Sequence, residues 1–482
     1  MKHRYFFLAI VLSLGFASNA WAQWSSNPAI NLALSDIANA DQVQPKVLPL
    51  PDNTWWVSWF NANPNDPPPI GYDVYIQRLN ANGYEQFEHD GLQVAKLTLS
   101  STEDYGLAAD ANGNALIAYL DDRKDPSNPQ VTVSKISPTG QFLFGSGLQL
   151  TYDASSHANP KVAATSDGGI VVAWTSDTNL VLVKLTANGL PVWGGTTVSS
   201  TRLVLSEPSY SYTLADLHAS DNGSVIVSWV RSQGFFGNKY LYANKISATG
   251  NLMWGSGHVK VFDGGSLQFG EYPYFVSDGN GGAVFSWYSS SPTLQVFAQH
   301  ILADGSEAFP HNGSVGSTNG VDVRVSPSVS YLAATSETFL FWTEEDSNQV
   351  LNGVYGQKFD SSGAAQWGST GLVLVPLGSD SQIFVQNVQI GTGALVYWFD
   401  QPGYGSGPIQ AAKLDGAGNT LCAQFGVSTA SADKSKLSAG IANSGLSALG
   451  FEDDRNGWND IYIQNVNSDC TLGIEDRNST LR

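Results

Sequence analysis

The chain has 482 residues and a formal net charge of −19, which excludes nucleic acid and anionic membrane surfaces as natural partners. It contains 49 glycines, 14 tryptophans and 19 tyrosines, whereas charged residues make up only 13%. This composition favours one large β fold over the two or three domains that the length alone would allow.

The N-terminus has the pattern of a signal peptide. Lys2 and Arg4 precede an apolar run, residues 6–16, that is too short to span a bilayer, and Ala20-Trp21-Ala22 fits the small-x-small cleavage rule. No later segment is long and apolar enough to be a membrane helix. We therefore predict that the mature chain begins at Gln23, is secreted or periplasmic, and does not insert into a membrane.

One aromatic residue recurs eight times along the chain, at intervals of 53 to 60 residues. We call these residues the landmark aromatics, and we expect each to end the second strand of a repeat. They are Trp59, Tyr119, Trp174, Trp229, Trp287, Trp342, Trp398 and Phe451.

Each repeat reads as four short strands. The first strand often opens with a proline, as at Pro45, Pro160, Pro273 and Pro327, and an Asp/Asn/Gly turn leads into the second. The third strand carries an aromatic residue and an amide, and a turn glycine follows. A large residue four positions after that glycine opens the fourth strand. Four antiparallel strands in about 55 residues predict an all-β, eight-bladed β-propeller that forms one domain over residues 23–474, followed by a short polar tail at 475–482.

The eighth repeat stops after its third strand, at residues 460–464. The mature N-terminus supplies a match, because the segment that starts at Trp24 resembles the fourth strand that starts at Trp254. We therefore expect residues 24–34 to complete the last blade, which removes the open sheet edges that invite aggregation.

The two cysteines occupy repeat positions of the last two blades. Cys422 stands where other blades carry the large residue of the fourth strand, and Cys470 stands where they carry the turn glycine. Export to an oxidising compartment favours a disulfide between them. Two buried free thiols are the alternative.

The repeat resembles that of secreted bacterial β-propellers, which reads roughly W-x-D-x-R…D-I-Y-A-Q…G…W-G-x-x-G. The matching stretches are residues 354–363, Trp367-Gly368, Gly371, Asp453-Asp454-Arg455 and residues 460–464. The resemblance implies an exported propeller and no particular activity. A weaker likeness to quinoprotein dehydrogenases, over residues 246–254, lacks the adjacent cysteine pair of those enzymes, and the spacing of sialidase Asp boxes is not met.

Function depends on the loops between second and third strands, which share one face of a propeller and vary most here. Exposed aromatics there would stack on sugars, while carboxylates and arginines would bind polar groups. The candidate ligand-binding residues are Asp121, Asp122, Arg123, Phe235, Phe236, Glu344, Glu345, Asp400, Tyr404, Asp453, Asp454, Arg455 and Trp458.

Two functions fit these residues. The favoured one is a non-catalytic, exported propeller that binds a polysaccharide or an extracellular or periplasmic protein. The alternative is a carbohydrate-active hydrolase or lyase that uses a pair of loop carboxylates. A structural interpretation of the Asp-Arg pairs, as ties between strand ends, also stays open.

No cofactor is predicted. The turn at Asp278-Gly279-Asn280 resembles part of a calcium loop, but it lacks the further carboxylates of a calcium cage, and a plain hairpin turn is favoured. No metal site is predicted from the histidines either. We expect a monomer.

Overall fold

The computed structural model describes residues 23–62, 71–194, 201–402 and 406–474. Within these ranges, 33 strands form eight separate antiparallel sheets arranged as a ring, which confirms the eight-bladed β-propeller. One turn of 3-10 helix spans Asp221–Gly223. In this part of the chain, no helix has the length and apolar character needed to cross a bilayer. The predicted signal peptide and the polar tail lie outside the described residues.

The strands are numbered in chain order, and β1 (Leu32–Ser35) belongs to the last blade. Blades 1 to 4 follow it in sequence, each running from its inner to its outer strand. Blade 1 contains β2 (Gln42–Pro49), β3 (Trp55–Ala62), β4 (Tyr72–Leu79) and β5 (Leu92–Ala95). Blade 2 contains β6 (Gly106–Ala109), β7 (Ala115–Asp121), β8 (Gln130–Ile136) and β9 (Leu148–Gln149). Blade 3 contains β10 (His157–Ala164), β11 (Ile170–Ser176), β12 (Asn179–Leu185) and β13 (Leu203–Leu205). Blade 4 contains β14 (Ser211–Ala219), β15 (Val225–Ser232), β16 (Lys239–Ile246) and β17 (Val259–Phe262).

Blade 5 differs from the others because its inner strand is divided in two. Blade 5 contains β18 (Ser266–Leu267), β19 (Phe275–Ser277), β20 (Ala283–Ser291), β21 (Gln295–Ile301) and β22 (Ser314–Val315). Blade 6 contains β23 (Val323–Leu332), β24 (Glu337–Glu345), β25 (Asn352–Phe359) and β26 (Leu372–Gly378). Blade 7 contains β27 (Asp380–Ile390), β28 (Gly393–Pro402), β29 (Ile409–Leu414) and β30 (Thr420–Ser428). Blade 8 contains β31 (Lys434–Ile441), β32 (Ser447–Asp453), β33 (Asp460–Val466) and β1.

All eight landmark aromatics lie on second strands and are fully buried. Several stack on the aromatic residue directly opposite in the third strand, as Trp287 does on Phe297 with an interplanar angle of 11°. The expectation that a landmark ends its strand is wrong, because every second strand continues for two to four residues beyond it. Those extra residues carry much of the predicted site.

The prolines do not open the inner strands, which corrects a second expectation. Pro45, Pro160 and Pro327 lie inside β2, β10 and β23, directly after a residue with positive φ. At each of these points the pairing with the second strand shifts register. A bulge is where a strand tolerates a residue without an N–H group. Pro273, by contrast, precedes β19.

The N-terminal strand closes the ring, as predicted. β1 pairs antiparallel with β33, with Leu32 opposite Ile463. The pairing covers only Leu32–Ser35, and the preceding segment is held by separate hydrogen bonds. Gln464 Nε2 donates a hydrogen bond of 2.7 Å to the Ser25 carbonyl, and Asn31 Nδ2 donates one of 2.9 Å to Gln464 Oε1.

Neighbouring blades are joined at the outer rim by a repeated contact, which we call the rim joint. The large residue lies four to ten residues before the first residue of the fourth strand and does not open that strand, which corrects the expectation. It packs on the turn glycine of the next blade, where a Cβ would collide with its ring or touch it. The φ of these glycines lies between 81° and 88°, in the left-handed region that favours glycine. The pairs are Trp24–Gly83, Phe87–Gly140, Phe144–Gly189, Trp193–Gly250, Trp254–Gly305, Phe309–Gly363 and Trp367–Gly418.

The joint between blades 7 and 8 is covalent. Cys422 occupies the large-residue position and Cys470 the glycine position, and the two form the predicted disulfide with their Cα atoms 6.6 Å apart. Cys470 keeps the left-handed conformation of the glycine that it replaces, with φ of 72°. The disulfide therefore takes the place of a ring packed on a glycine.

Candidate functional site

The loops between second and third strands and the connections between blades emerge on the same side of the ring, because antiparallel strands alternate in direction. We call this side the loop face. The described members of the predicted site lie at the ends of second strands or in the loops that follow them. Tyr404 lies outside the described residues.

Two Asp-Arg pairs tie strand ends within blades 2 and 8. Arg123 Nε donates a hydrogen bond of 2.8 Å to Asp121, and Arg455 Nε donates an equivalent bond of 2.8 Å to Asp453. Burial alone would raise the pKa of the Asp121 carboxyl, but the hydrogen bonds and charge of Arg123 hold it below its ordinary value. Arg455 also donates to Asn31 Oδ1 over 3.0 Å, so this pair reaches the N-terminal segment.

The next aspartate in each motif holds the connection that enters its own blade. Asp122 accepts a hydrogen bond of 2.9 Å from the Thr98 N–H, and Asp454 accepts one of 2.8 Å from the Asp433 N–H. Asp177 of blade 3, which the sequence analysis did not single out, accepts one of 2.9 Å from Ser156. These carboxylates fix loops of the scaffold.

The carboxylates of blades 6 and 7 are also engaged. Glu344 is buried between Arg324 and the Trp342 indole, which donate to it over 2.9 and 2.6 Å. Burial raises the pKa of Glu344, and burial likewise raises that of Glu345, which accepts a bond of 2.9 Å from Gln349. Asp400 accepts a bond of 2.5 Å from Gln382.

The aromatic candidates of blade 4 remain open to solvent. Phe236 is 96% exposed, and its ring meets that of Phe235 with centroids 5.0 Å apart. Phe235 contacts in turn the ring of Phe269, at 5.0 Å, which comes from blade 5. We call these three residues the aromatic crest. Trp458, in the loop of blade 8, is exposed as well.

Phe269 belongs to a loop that divides the inner strand of blade 5, residues 268–274 between β18 and β19. The side chain of Glu271 anchors this loop by accepting a hydrogen bond of 2.9 Å from the Tyr288 N–H. Burial raises the pKa of Glu271 well above its ordinary value. The loop exposes Phe269, Tyr272 and Tyr274. The run Phe-Gly-Glu-Tyr-Pro-Tyr directly after a short strand was the available sequence signal for it.

The inner strands enclose a central channel with a cavity of about 910 Å³. Lys46 of blade 1 and Lys161 of blade 3 both donate to the carboxylate of Asp104, Lys46 over 2.6 Å. The exposed ring of Tyr274 lies 5.9 Å from the Lys161 ammonium. Sequence reasoning missed this cluster because its members, from Lys46 to Tyr274, are scattered over more than 220 residues of chain.

Burial and opposite charges perturb these groups in different directions. Burial lowers the pKa of Lys46 to about 8, whereas for Lys161 the charge of Asp104 overcomes burial and raises the pKa. The two ammonium groups hold the pKa of Asp104 far below its ordinary value, against the effect of its burial. The cluster is therefore charged at neutral pH.

The bulges of the inner strands place these side chains. Lys46 and Lys161 follow the positive-φ residues Gln44 and Asn159 by two positions, at the point where the register shifts. In blade 8 the bulge residue with positive φ is itself a lysine, Lys436, and its exposed side chain lines the same channel. A bulge points a side chain in a direction that it would not have in a regular pleated strand.

One group in the described part of the chain has the spacing of metal ligands, namely Asp36, His89 and Asp90. His89 Nε2 lies 3.1 Å from Asp36, and its Nδ1 lies 3.2 Å from Glu85. The hydrogen bond with Glu85 raises the pKa of His89 to about 9, so the imidazole is protonated at neutral pH and is a poor metal ligand. Asp278 binds the N–H groups of Asn280 and Gly282, as in a hairpin turn.

No protein-family profile matches the chain, and no curated protein sequence matches it. Among solved structures, it is similar to the polysaccharide lyase Uly1 (10% identity, TM-score 0.45), with 90% of this chain and 91% of that chain covered. It is similar to an α-L-arabinanase of Penicillium chrysogenum (11% identity, TM-score 0.39), with 92% and 99% covered. It is also similar to prolyl oligopeptidase B of Galerina marginata (13% identity, TM-score 0.43), with 86% and 55% covered.

Proposed function

We propose that the protein is an exported, non-catalytic β-propeller that binds a polysaccharide on its loop face through the aromatic crest. The observation that carries this proposal is a difference between the carboxylates and the aromatic residues on the loop face. The described carboxylates of the set are all hydrogen-bonded to neighbouring groups, whereas Phe235, Phe236 and Phe269 expose their rings.

Exposed rings in contact with one another form a surface on which the apolar faces of sugar rings stack. The Lys239 ammonium lies 5.2 Å from the Phe269 ring and donates to the carbonyl of Phe235 over 3.1 Å. This lysine holds the loop of blade 4 against the loop of blade 5. Rings that are positioned before the ligand arrives lose less conformational entropy when they bind it.

Cleavage of the ligand is less well supported than binding. A hydrolase needs two carboxyl groups that are free to face the substrate on either side of the scissile bond. Asp121 and Asp453 each face an arginine, and Asp122 and Asp454 each face a backbone N–H. The disulfide supports export, because such bonds persist in oxidising compartments.

A glycan-array screen of the purified protein, run beside an activity assay on the same polysaccharides with and without calcium, tests the proposal. We expect binding without release of new chain ends. The Phe236→Ala variant should bind at least tenfold more weakly, a loss of about 1.4 kcal/mol.

Phe142→Ala is the matched control, because Phe142 is an exposed phenylalanine that follows the turn between third and fourth strands, on the opposite face. Its binding should equal that of the wild type. Release of chain ends would establish the hydrolase or lyase instead, and binding to no glycan would leave a protein as the ligand class.

A further inference from the structure

The central channel reverses the charge balance of the molecule. The whole chain carries 42 acidic residues and 23 lysines and arginines. Among the described residues, the channel wall carries three lysines, Lys46, Lys161 and Lys436, against two carboxylates, Asp104 and Asp216. Because His218 on the same wall carries a further positive charge when it is protonated, the channel is basic although the protein as a whole is acidic.

The lysines of the channel are not neutralised one by one. Lys46 and Lys161 share the carboxylate of Asp104, and the charge of Asp216 reaches both lysines as well. Asp216 is itself paired with His218, its Oδ2 lying 2.9 Å from the histidine Nε2. Glu452, whose charge reaches Lys436, is buried behind the wall and accepts a hydrogen bond of 2.6 Å from the Gln44 N–H. An excess of positive charge therefore faces the cavity.

The channel and the aromatic crest are connected through one loop. Phe269, in the crest, and Tyr274, in the channel, lie five residues apart in the loop of blade 5. Fully extended chain covers at most about 18 Å over this interval. A chain-like ligand that stacks on the crest is thus within reach of the Lys161 ammonium beside Tyr274.

We infer that the channel binds the anionic groups of an acidic polysaccharide, one whose sugar units carry carboxylate or sulfate groups. This inference rests on the proposed function and names its substrate class. Lys46, Lys161 and Lys436 supply compact positive charges, and Tyr274 supplies a ring for the sugar that bears the anion.

A purely structural role for the lysines would have a different signature. Lys135, Lys184 and Lys245 are buried, and each pairs with one aspartate of its own blade, at 2.9, 2.6 and 2.5 Å. Each of those pairs has one positive and one negative group, so none of them leaves an excess of positive charge. In the channel, two lysines from different blades converge on one carboxylate of a third blade, and Lys436 is exposed.

Calorimetric titration of the full protein with three probes tests the inference. The probes are polygalacturonate, its fully methyl-esterified neutral form, and a sulfated galactan, and two salt concentrations are used. We expect the two acidic probes, or one of them, to bind at least tenfold more tightly than the ester, with affinity that falls as salt rises.

The Lys436→Gln variant should lose at least fivefold in affinity for the acidic probe and nothing for the neutral one. Lys260→Gln, which removes an exposed lysine from the outer strand β17, is the matched control and should change neither. Because Lys436 is exposed and lies on the channel wall, its loss should leave the unfolding temperature unchanged. Lys161→Met is the second variant, and its unfolding temperature separates a folding defect from a binding defect.

Three outcomes decide the matter. Tight binding of an acidic probe that Lys436→Gln weakens supports the inference, and the better of the two acidic probes identifies carboxylate or sulfate. Equal binding of acidic and neutral probes, unaffected by Lys436→Gln but lost in Phe236→Ala, overturns the inference and leaves the proposed function standing. Binding of none of the probes, together with no hit on the glycan array, overturns both.

Discussion

The rim and the channel of this propeller are built from the same repeats but follow opposite rules. At the rim, seven blade boundaries use one contact, a large ring packed on a left-handed glycine, and the eighth replaces it with a disulfide. In the channel, equivalent positions of blades 1, 3, 6, 7 and 8 hold Lys46, Lys161, Ser328, Gln386 and Ser438. Repetition marks the part that holds the ring together, and variation marks the part that is free to bind.

Truncation of a rim ring should have the largest effect on stability. Trp254 is buried, and its indole donates to the Ala303 carbonyl over 3.0 Å, so Trp254→Ala removes packing and a hydrogen bond together. We expect a loss of about 3–5 kcal/mol in the free energy of unfolding, measured by denaturant titration. The neighbouring Met253 is half exposed, and Met253→Ala should change stability by less than about 0.5 kcal/mol. Equal losses of stability from the two changes would show that the rim joint does not make the contribution to stability that we expect.

Loss of the covalent joint should come next. The double variant Cys422→Ser/Cys470→Ser opens a bridge between residues 48 positions apart. We expect it to lower the free energy of unfolding by about 2–4 kcal/mol, because the cross-link restricts the unfolded chain. Treating the wild type with a reductant should reproduce the loss, and treating the variant should do nothing. An unchanged wild type after verified reduction would contradict the prediction.

The contact between blade 1 and the segment that follows β1 should make the free energy of unfolding depend on pH, with a smaller effect than the two changes above. The hydrogen bond that His89 donates to Glu85 raises the pKa of His89 to about 9, above the value of about 6.5 in an unfolded chain. The stabilisation is therefore complete below pH 6.5 and is lost as the pH rises through 9. Because 44% of this side chain is exposed, we expect only about 0.2–1 kcal/mol. His89→Gln should remove that slope from a plot of unfolding free energy against pH, and a variant with the same slope as the wild type would exclude His89 as its source.

The smallest effect on stability is expected in the crest. Phe236 is almost fully exposed, so Phe236→Ala should change the free energy of unfolding by less than about 0.5 kcal/mol while it weakens ligand binding. A large loss of stability in this variant would mean that the crest is packed in solution and does not present a free surface. Thermal melts and binding assays on the same preparation decide between the two.

Sequence reasoning succeeded where the chain repeats itself. The landmark aromatics, the turn glycines and the large rim residues recur at fixed offsets, and they predicted the number of blades, the closure and the disulfide. It was less successful at the site. Asp121, Glu344 and Asp453 were candidates because they are acidic and follow a landmark, yet each is held by a neighbouring cation or indole. The partner of a charged loop residue cannot be identified from the sequence, because the fold brings the two residues together.

The amino-acid sequence alone determined the architecture of this protein, because a strand of fixed period must bury the same face in every repeat, and eight repeats must share one axis. Only the tertiary structure decided which side chains meet at that axis. Lys46, Asp104 and Lys161 come from three blades, and the two lysines follow bulges, so their convergence depends on small register shifts that leave no periodic trace in the chain. The same is true of Phe235 and Phe269, which two neighbouring blades bring into contact.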